Sequence, residues 1–540
     1  MKFIFSTLVL CLVFQFSFAQ SVYQRTAKKI SPDNPFPEEE IFAMDPTTDG
    51  GYILAGFSNN DVDKDMYLLK VNSDGETEWM TNYVKDDQQE ARDVKQTSDG
   101  GYILVGWDQS AQRGMAIIKT DAEGAIVWSR RYGGDFSEYG RSVVETPDGG
   151  FVIAGEKRTS SWNNVYLLKI DANGDFVWNN SFGGELFQDN GFELILTNDT
   201  GFMIVGEYAH NSNREVYLIK TDSSGAQTWA KTYGSVPNIG GADKGRDVKQ
   251  TSDGGYIVAG EYQDPDGTAD KALVFKTDES GMLQWAKKYN RPNNEHSIAH
   301  AIDECDDGSY IFTGTTDAGF GSADVLLTKI TSTGDVVWAK GMGEAGGEIG
   351  FDVVQKSDGG YFLAGSTIGS FGEGAAIGQL TPYLINTDAL GNSGGCFVTD
   401  VDYSADDVIL AVNNVTSGVG VTITSTSPDF TANSYSSNDS LLCETIVSTR
   451  NVFENITLKI YPNPSTGQVR INVPVELDLN NFNFTFLNSQ GVQINLATDL
   501  NIANNSISFN NNNKLMQGLY FITIESNNRR FIGKVIMKGQ

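Results

Sequence analysis

The chain is poor in the residues that carry most catalytic and redox chemistry. Of its 540 residues only three are histidine (His210, His296 and His300), four are cysteine and 13 are proline. No nucleophile elbow, phosphate-binding glycine loop or Cys–His pairing occurs in it. Positive charge is scarce as well: 39 Lys and Arg face 69 Asp and Glu, a net charge of -30. Such a surface repels nucleic acid and anionic lipid, and favours a neutral, cationic or metal-bridged partner. Beyond residue 19 no stretch is apolar and long enough to span a bilayer as a helix, so the mature chain is expected to be soluble, with no transmembrane segment.

The one apolar run lies at the start. Lys2, an apolar core over 3–16 and Ser17-Phe18-Ala19 read as a secretory signal, residues 1–19, cleaved before Gln20. Cys11 leaves with it, and Cys305, Cys396 and Cys443 remain. In an oxidising compartment an odd number means one pair and one spare. Cys396 and Cys443 bracket a segment outside the repeats described next, so they are the expected disulfide, worth about 4 kcal/mol in loop closure.

What the chain has in quantity is glycine, 58 residues, and much of it is periodic. A turn recurs at Asp49, Asp99, Asp148, Asp199, Asp253, Asp307 and Asp358, seven copies roughly fifty residues apart. After each turn an aromatic opens an apolar run, from Tyr52 and Tyr102 through Tyr361, and a Gly closes it, from Gly56 through Gly365. A third run ends in Lys70, Lys119, Lys169, Lys220, Lys276 or Lys329, with Asn386 in the last copy. A second turn and a Trp follow: Trp79, Trp128, Trp178, Trp229, Trp285 and Trp338, with Cys396 at that place in the seventh copy.

Short runs rich in Val, Ile, Leu, Tyr and Phe between Asp/Asn/Gly turns are strands, four to a repeat. Runs apolar at successive positions, such as Tyr67-Leu68-Leu69, need cover on both faces, as stacked blades provide. The expected fold is therefore all-β: a seven-bladed β-propeller of four-stranded blades over 20–396. The rival is an open β-solenoid, whose rungs are usually shorter. The seventh copy lacks its fourth strand, and residues 22–26 look like one, so the N-terminal segment is expected to close the ring with Tyr23 at the Trp place. The tight turns read as structural, the Trp as filler between neighbouring blades, and the Lys set as a solvated charge pair with the turn Asp, or its equivalent, that lies two residues away in most copies.

Two resemblances add to this. The spacing Asp121-x-x-Gly124-x-x-x-Trp128 and its copies resemble the tryptophan-docking repeat of quinoprotein dehydrogenase-like propellers, over 21–396, and are similar to the Asp-box of sialidases. Both imply a propeller, and neither implies a chemistry, because the adjacent cysteines of the quinone enzymes are absent. Residues 397–455 turn to Val, Thr, Ser, Asn and Asp, a β-rich linker segment. From 456 to 540 the chain resembles the type A C-terminal sorting domain of the type IX secretion system of Bacteroidota. The resemblance rests on Tyr461, Pro462, Asn463, Pro464 and Gly467, then 486–491, then Gly518 and Tyr520, and finally Lys534 to Lys538. It implies a small immunoglobulin-like β-sandwich, the secretion machinery as a partner, and a cargo passing through the periplasm to the outer-membrane surface or the medium.

His296 and His300, four apart on a strand, stand about 13 Å apart, too far to share a metal, so no metal site is assigned. Asp61-x-Asp63-x-Asp65 and Asp171-x-Asn173-x-Asp175 could hold calcium but lack the rest of an EF-hand loop, and no cofactor is predicted. Two functions remain open for what is expected to be a monomer. One is a binding module for an extracellular glycan or protein; the alternative is a glycan hydrolase or lyase using gathered carboxylates. In either case the ligand is expected on the face opposite the uniform turns. The copies vary there: Trp107, Asp108, Trp162, Tyr208, His210, Tyr262, Asp264, Asp266, Phe320 and Phe371.

Overall fold

The computed structural model describes residues 21–30, most of 38–446 and the strands of 456–537; stretches including 235–241, 265–268, 318–322, 369–379, 394–397, 416–423 and 427–430 are not described. Two compact units emerge, residues 21–445 and a unit containing 446–540. Among the described residues every regular element is a strand.

The first unit is a seven-bladed propeller. Six blades are four-stranded meanders read directly off the repeats, spanning 38–84, 89–133, 138–182, 190–234, 244–290 and 297–342. The seventh takes three strands from 348–387 and its fourth, Ser21–Ile30, from the N-terminus. That strand pairs antiparallel with Thr381–Thr387, Tyr23 opposite Asn386 and Gln24 opposite Ile385. In the other blades the residue opposite the third-strand Lys is the Trp, as Lys119 faces Trp128, so Tyr23 does stand in the Trp place. Gln24 is fully buried, donating to Ser393 Oγ at 2.7 Å and accepting from Tyr383 Oη at 2.7 Å.

The Trp residues join blades in sequence. Each packs against the aromatic that opens the second strand of the next blade, as Trp79 does on Tyr102 and Trp338 on Tyr361, with ring centroids 5.8–6.4 Å apart. It also lies over the second turn of that blade. Gly124, at φ +81°, has no room for a side chain, because a Cβ would come within 2.9 Å of the Trp79 ring.

The Lys set departs from the sequence reading. These side chains, buried except for the half-buried Lys329, reach across the hairpin to the first turn: Lys70, Lys119, Lys169, Lys220, Lys276 and Lys329 bond Asp49, Asp99, Asp148, Asp199, Asp253 and Asp307 at 2.8–2.9 Å. Most also donate to a backbone carbonyl, Lys119 to Thr120 O at 2.9 Å. The lysine stem runs under the turn glycine; a Cβ on Gly101 would sit 2.7 Å from Lys119 Nζ. One carboxylate thus serves both the turn, through the Gly101 N–H, and the neighbouring strand.

The segment after the seventh blade is built into the propeller. Strands Val398–Asp400, Ser404–Asp407 and Ala411–Asn414 add antiparallel to the outer edges of blades six, five and four. Thr424–Thr426 then adds to blade two, and Thr431–Ile446 pairs with blade one and stands between it and the N-terminal strand of blade seven. This belt runs backwards around the perimeter, covering strand edges that would otherwise invite pairing with other chains. Its acids meet outer-strand lysines, Asp400 with Lys340 and Asp407 with Lys287. Its apolar residues seal the clefts: Val401 and Tyr403 pack with Tyr289 and Leu326, and Leu410 with Tyr233 and Tyr262.

In the second unit two four-stranded sheets are formed, one from Ile456–Thr457, Asn483–Asn488, Gly518–Ser526 and Arg529–Met537, the other from Lys459–Tyr461, Gln468–Asn472, Leu500–Ala503 and Ser506–Asn510. Tyr461, Gly518, Tyr520 and Lys534 lie on these strands, whereas Pro462, Asn463, Pro464, Gly467 and Lys538 fall outside the described residues.

Candidate functional site

The first strand of every blade contains a β-bulge at the same place. Pairing with the second strand skips one residue in each: Phe42, Arg92, Arg141, Phe192, Arg246, His300 and Phe351. A bulged residue is released from the ladder and its side chain re-aimed. Here all seven point to the propeller axis, where they line a cavity of about 190 Å³ together with Asp93, Lys95, Glu193, Asp247, Lys249 and Asp352.

The seven form a band of cations and rings. Arg92 lies 4.0 Å over the Phe42 ring and Arg246 5.5 Å over Phe192. Phe351 meets Phe42 edge-on at 5.6 Å and His300 at 5.5 Å. A glutamate on the same blade fixes each guanidinium: Glu90 holds Arg92, Glu156 holds Arg141 at 3.0 Å and Glu261 holds Arg246 at 2.7 Å. The Nη1 groups of the three arginines have no described partner, and Arg92 Nε is buried without one. Burial, with the Arg246 charge beside it, lowers His300 to about 3, so it is a neutral ring.

One residue further along, the first strands of blades two, four, five and seven carry an acid, Asp93, Glu193, Asp247 and Asp352, where the other blades have Ala43, Ser142 and Ala301; the role of these acids is mainly structural. Asp93 Oδ2 accepts from Val143 N at 2.8 Å and Ser142 Oγ at 3.0 Å, Asp247 from Ile302 N at 2.8 Å, and Asp352 from Met44 N at 3.2 Å. Each of these ties its blade to the next. Glu193 occupies the same position in blade four with one more methylene, and makes no hydrogen bond among the described residues. Burial, then the nearby Asp93 charge, raises it; burial raises Asp352 to about 6 against the pull of Lys249. Two residues deeper, Lys95 and Lys249 pair with Asp93 and Asp247 at 3.3 Å. The bulged band lies near the middle of the first strands, as Arg92 does in Gln89–Gln96, and the lysines lie about 10 Å nearer the tight-turn face.

None of the described residues picked from sequence lines the cavity. Trp107 is buried, with Arg113 4.8 Å over its ring and Tyr139 at its edge. Asp108 is fully buried between Arg131 at 2.7 Å and Lys85 at 2.8 Å. Tyr262 belongs to the blade core, with Lys288 over its ring and Asp264 bonded to Lys288. Tyr208 packs on Tyr217 at 5.2 Å and stacks towards the exposed His210. Trp162 is 42% exposed. Asp266, Phe320 and Phe371 lie outside the described residues, as do Cys396 and the side chain of Cys443. Cys305 is a buried free thiol.

Among the described residues no three His, Cys, Asp or Glu converge on a metal-binding geometry. Asp171 Oδ1 instead accepts the N–H groups of Asn173 and Asp175, closing its own turn. Asp61 lies outside the described residues.

Comparison with known proteins informs the two units unequally. No curated protein matches the chain. Two solved structures of Sqt1 from Chaetomium thermophilum are similar at 8% identity. One covers 65% of this chain and 96% of its own with a TM-score of 0.39; the other covers 67% and 100% with a TM-score of 0.35. Residues 459–538 match the secretion system C-terminal sorting domain, so the chain carries a type IX sorting domain, and that domain implies export to the cell surface or the medium.

Proposed function

We propose that this chain is an exported binding module, taking an extracellular glycan or protein on the face of the variable loops, at the mouth of the axial cavity. The observation that carries the reading is the bulged band. The position before it is Ile, Ala or Gly and the second after it is Met, Val, Leu or Ile in every blade, while the bulged residue itself is Arg, Phe or His. A fold requirement shared by seven blades would be met by one residue type. A mixture of guanidinium and ring faces aimed into a cavity is what recognition uses. Trp162, Tyr208 and His210 around the rim would widen the contact.

In this reading the sorting domain sends the folded propeller through the periplasm and the type IX machinery of a bacteroidotal cell. The mature protein is a monomer, held at the surface or released. Truncation after Ile446 should leave the propeller in the periplasm, and the truncated form at the surface in normal yield would refute the route. For binding, the full mature chain is screened on glycan and surface-protein arrays, with hydrogen exchange locating the contact. Protection of the tight-turn face alone would refute the assignment.

A second reading is kept by Glu193 and Asp352, two acids of raised pKa in one cavity, since paired carboxylates of unequal pKa are the machinery of glycan hydrolysis. Release of new reducing or unsaturated sugar ends, lost in Glu193→Gln, would establish it.

A further inference from the structure

We infer that the axial cavity receives a single uronic acid residue at the end of an extracellular polysaccharide, an inference that rests on the binding-module reading and names its ligand. Three properties of the wall lead there. First, Arg92 and Arg141 stand on adjacent blades close enough for their charges to interact, each with its glutamate holding one edge of the guanidinium. On each guanidinium Nη1 is left without a partner among the described residues, and a guanidinium presents its N–H groups as a planar fork suited to a carboxylate.

Second, Phe42, Phe192 and Phe351 interrupt the cations; Arg92 covers one face of Phe42 and Arg246 one face of Phe192, and the remaining apolar ring surface in the cavity wall suits the C–H face of a sugar. Third, Glu193 offers a carboxyl that makes no hydrogen bond among the described residues, a receptor for sugar hydroxyls. One ligand class combines a carboxylate, an apolar ring face and several hydroxyl donors, and that class is the uronic acids.

Size and charge narrow the choice. At about 190 Å³ the cavity is below the usual range for drug-sized ligands, so it holds one ring and leaves the rest of a chain outside. An arginine fork takes phosphate or sulfate oxygens bidentately as it does a carboxylate, so charge, and the sulfated arm of the test, separate these groups. A doubly charged phosphate would add a second negative charge beside Asp93 and Asp247.

The test is calorimetric titration of the full mature protein with di- and trigalacturonate, their methyl esters, neutral galactobiose and a sulfated disaccharide. The expected result is binding of the free acids, at least tenfold weaker for the esters and the neutral sugar. Arg141→Gln should weaken the acids at least tenfold, and Phe192→Ala severalfold. Should Arg141→Gln fail to fold, the ester comparison and the loss of affinity with added salt carry the same information on the native chain. Equal affinity for acid and ester, or preference for the sulfated sugar, overturns the uronate inference while the binding-module reading stands. Failure of every glycan while a surface protein protects the cavity mouth in hydrogen exchange overturns it in the same way. If no ligand of either class protects that face, the module reading falls as well.

Discussion

Tyr52 and Phe362 stack face to face, ring centroids 3.8 Å apart and planes within 5°, where the last blade meets the first. Every other junction uses a Trp against the next blade's opening aromatic; here the seventh blade, with no Trp, offers Phe362 from its second strand. The seam is further tied by Ile41 N to Ser366 Oγ at 3.2 Å and Met44 N to Asp352 Oδ2 at 3.2 Å. The junction is thus made three ways, by stacking, by backbone-to-side-chain bonds and by the N-terminal strand.

Removal of that strand is the sharper test. Deleting 21–30 strips Thr381–Thr387 of its outer partner and the buried Tyr383 Oη of its Gln24 acceptor. We expect a loss of several kcal/mol and self-association through the exposed edge. Tyr52→Ala should cost about 3 kcal/mol, at the lower end for a buried aromatic. Thermal denaturation with light scattering measures both, and an unchanged melting curve on deletion would show that the ring closes without the strand.

The hairpin ion pairs make a second prediction. Asp99→Ala removes the acceptor of the Gly101 N–H and leaves the buried Lys119 with only the Thr120 carbonyl. A cost of about 2–3 kcal/mol follows, with ligand binding untouched because the turn lies on the opposite face. Lys119→Met should cost less, since Asp99 remains largely open to water. The order of the two melting temperatures decides the point.

Much of this was legible in the sequence, and what was missed has physical causes. The repeat fixes seven blades because turn, aromatic, glycine and Trp each meet a demand made once per blade. The Lys pairing was misassigned because the nearer Asp in sequence is not the nearer one across a hairpin. The belt left little periodic trace: its strands are three or four residues long at blades six, five, four and two, and each is held by an edge rather than by its own pattern. The axial band could have been found by aligning the copies against one another, where Phe42, Arg92, Arg141, Phe192, Arg246, His300 and Phe351 occupy one column of changing chemistry. Attention to loops instead of strands passed over it.

Trp162 and Tyr262 separate loop from core. Both sit towards the variable face, but Trp162 is exposed whereas Tyr262 packs in the core with Leu410 of the belt. Trp162→Ala should leave stability within about 0.5 kcal/mol, while Tyr262→Ala should cost about 3 kcal/mol. Urea denaturation of the two variants tests this, and equal midpoints would mean that the belt does not cover Tyr262 in solution.

Acidity supplies the last prediction. Burial raises Asp352 to about 6 and also raises Glu193, so the folded chain holds these protons more tightly than the unfolded one. Their contribution to stability is therefore greatest below the unfolded values, 3.8 for Asp and 4.5 for Glu, and is lost as pH rises through the folded ones. The turn aspartates act in the opposite sense. The hydrogen bonds from Lys169 and Thr146 lower Asp148 to about 2, and Asp307 is lowered likewise by Ser309 and Lys329. Stability from these is complete above 3.8 and lost as pH falls towards 2. The melting temperature should then rise from neutral pH to a maximum at about pH 4–5 and fall steeply below pH 4. In Glu193→Gln the rise on the neutral side should flatten while the acid collapse remains, because the two limbs belong to different groups. A maximum at neutral pH in the parent, or an unaltered neutral limb in the variant, would show that Glu193 carries its charge in the folded cavity.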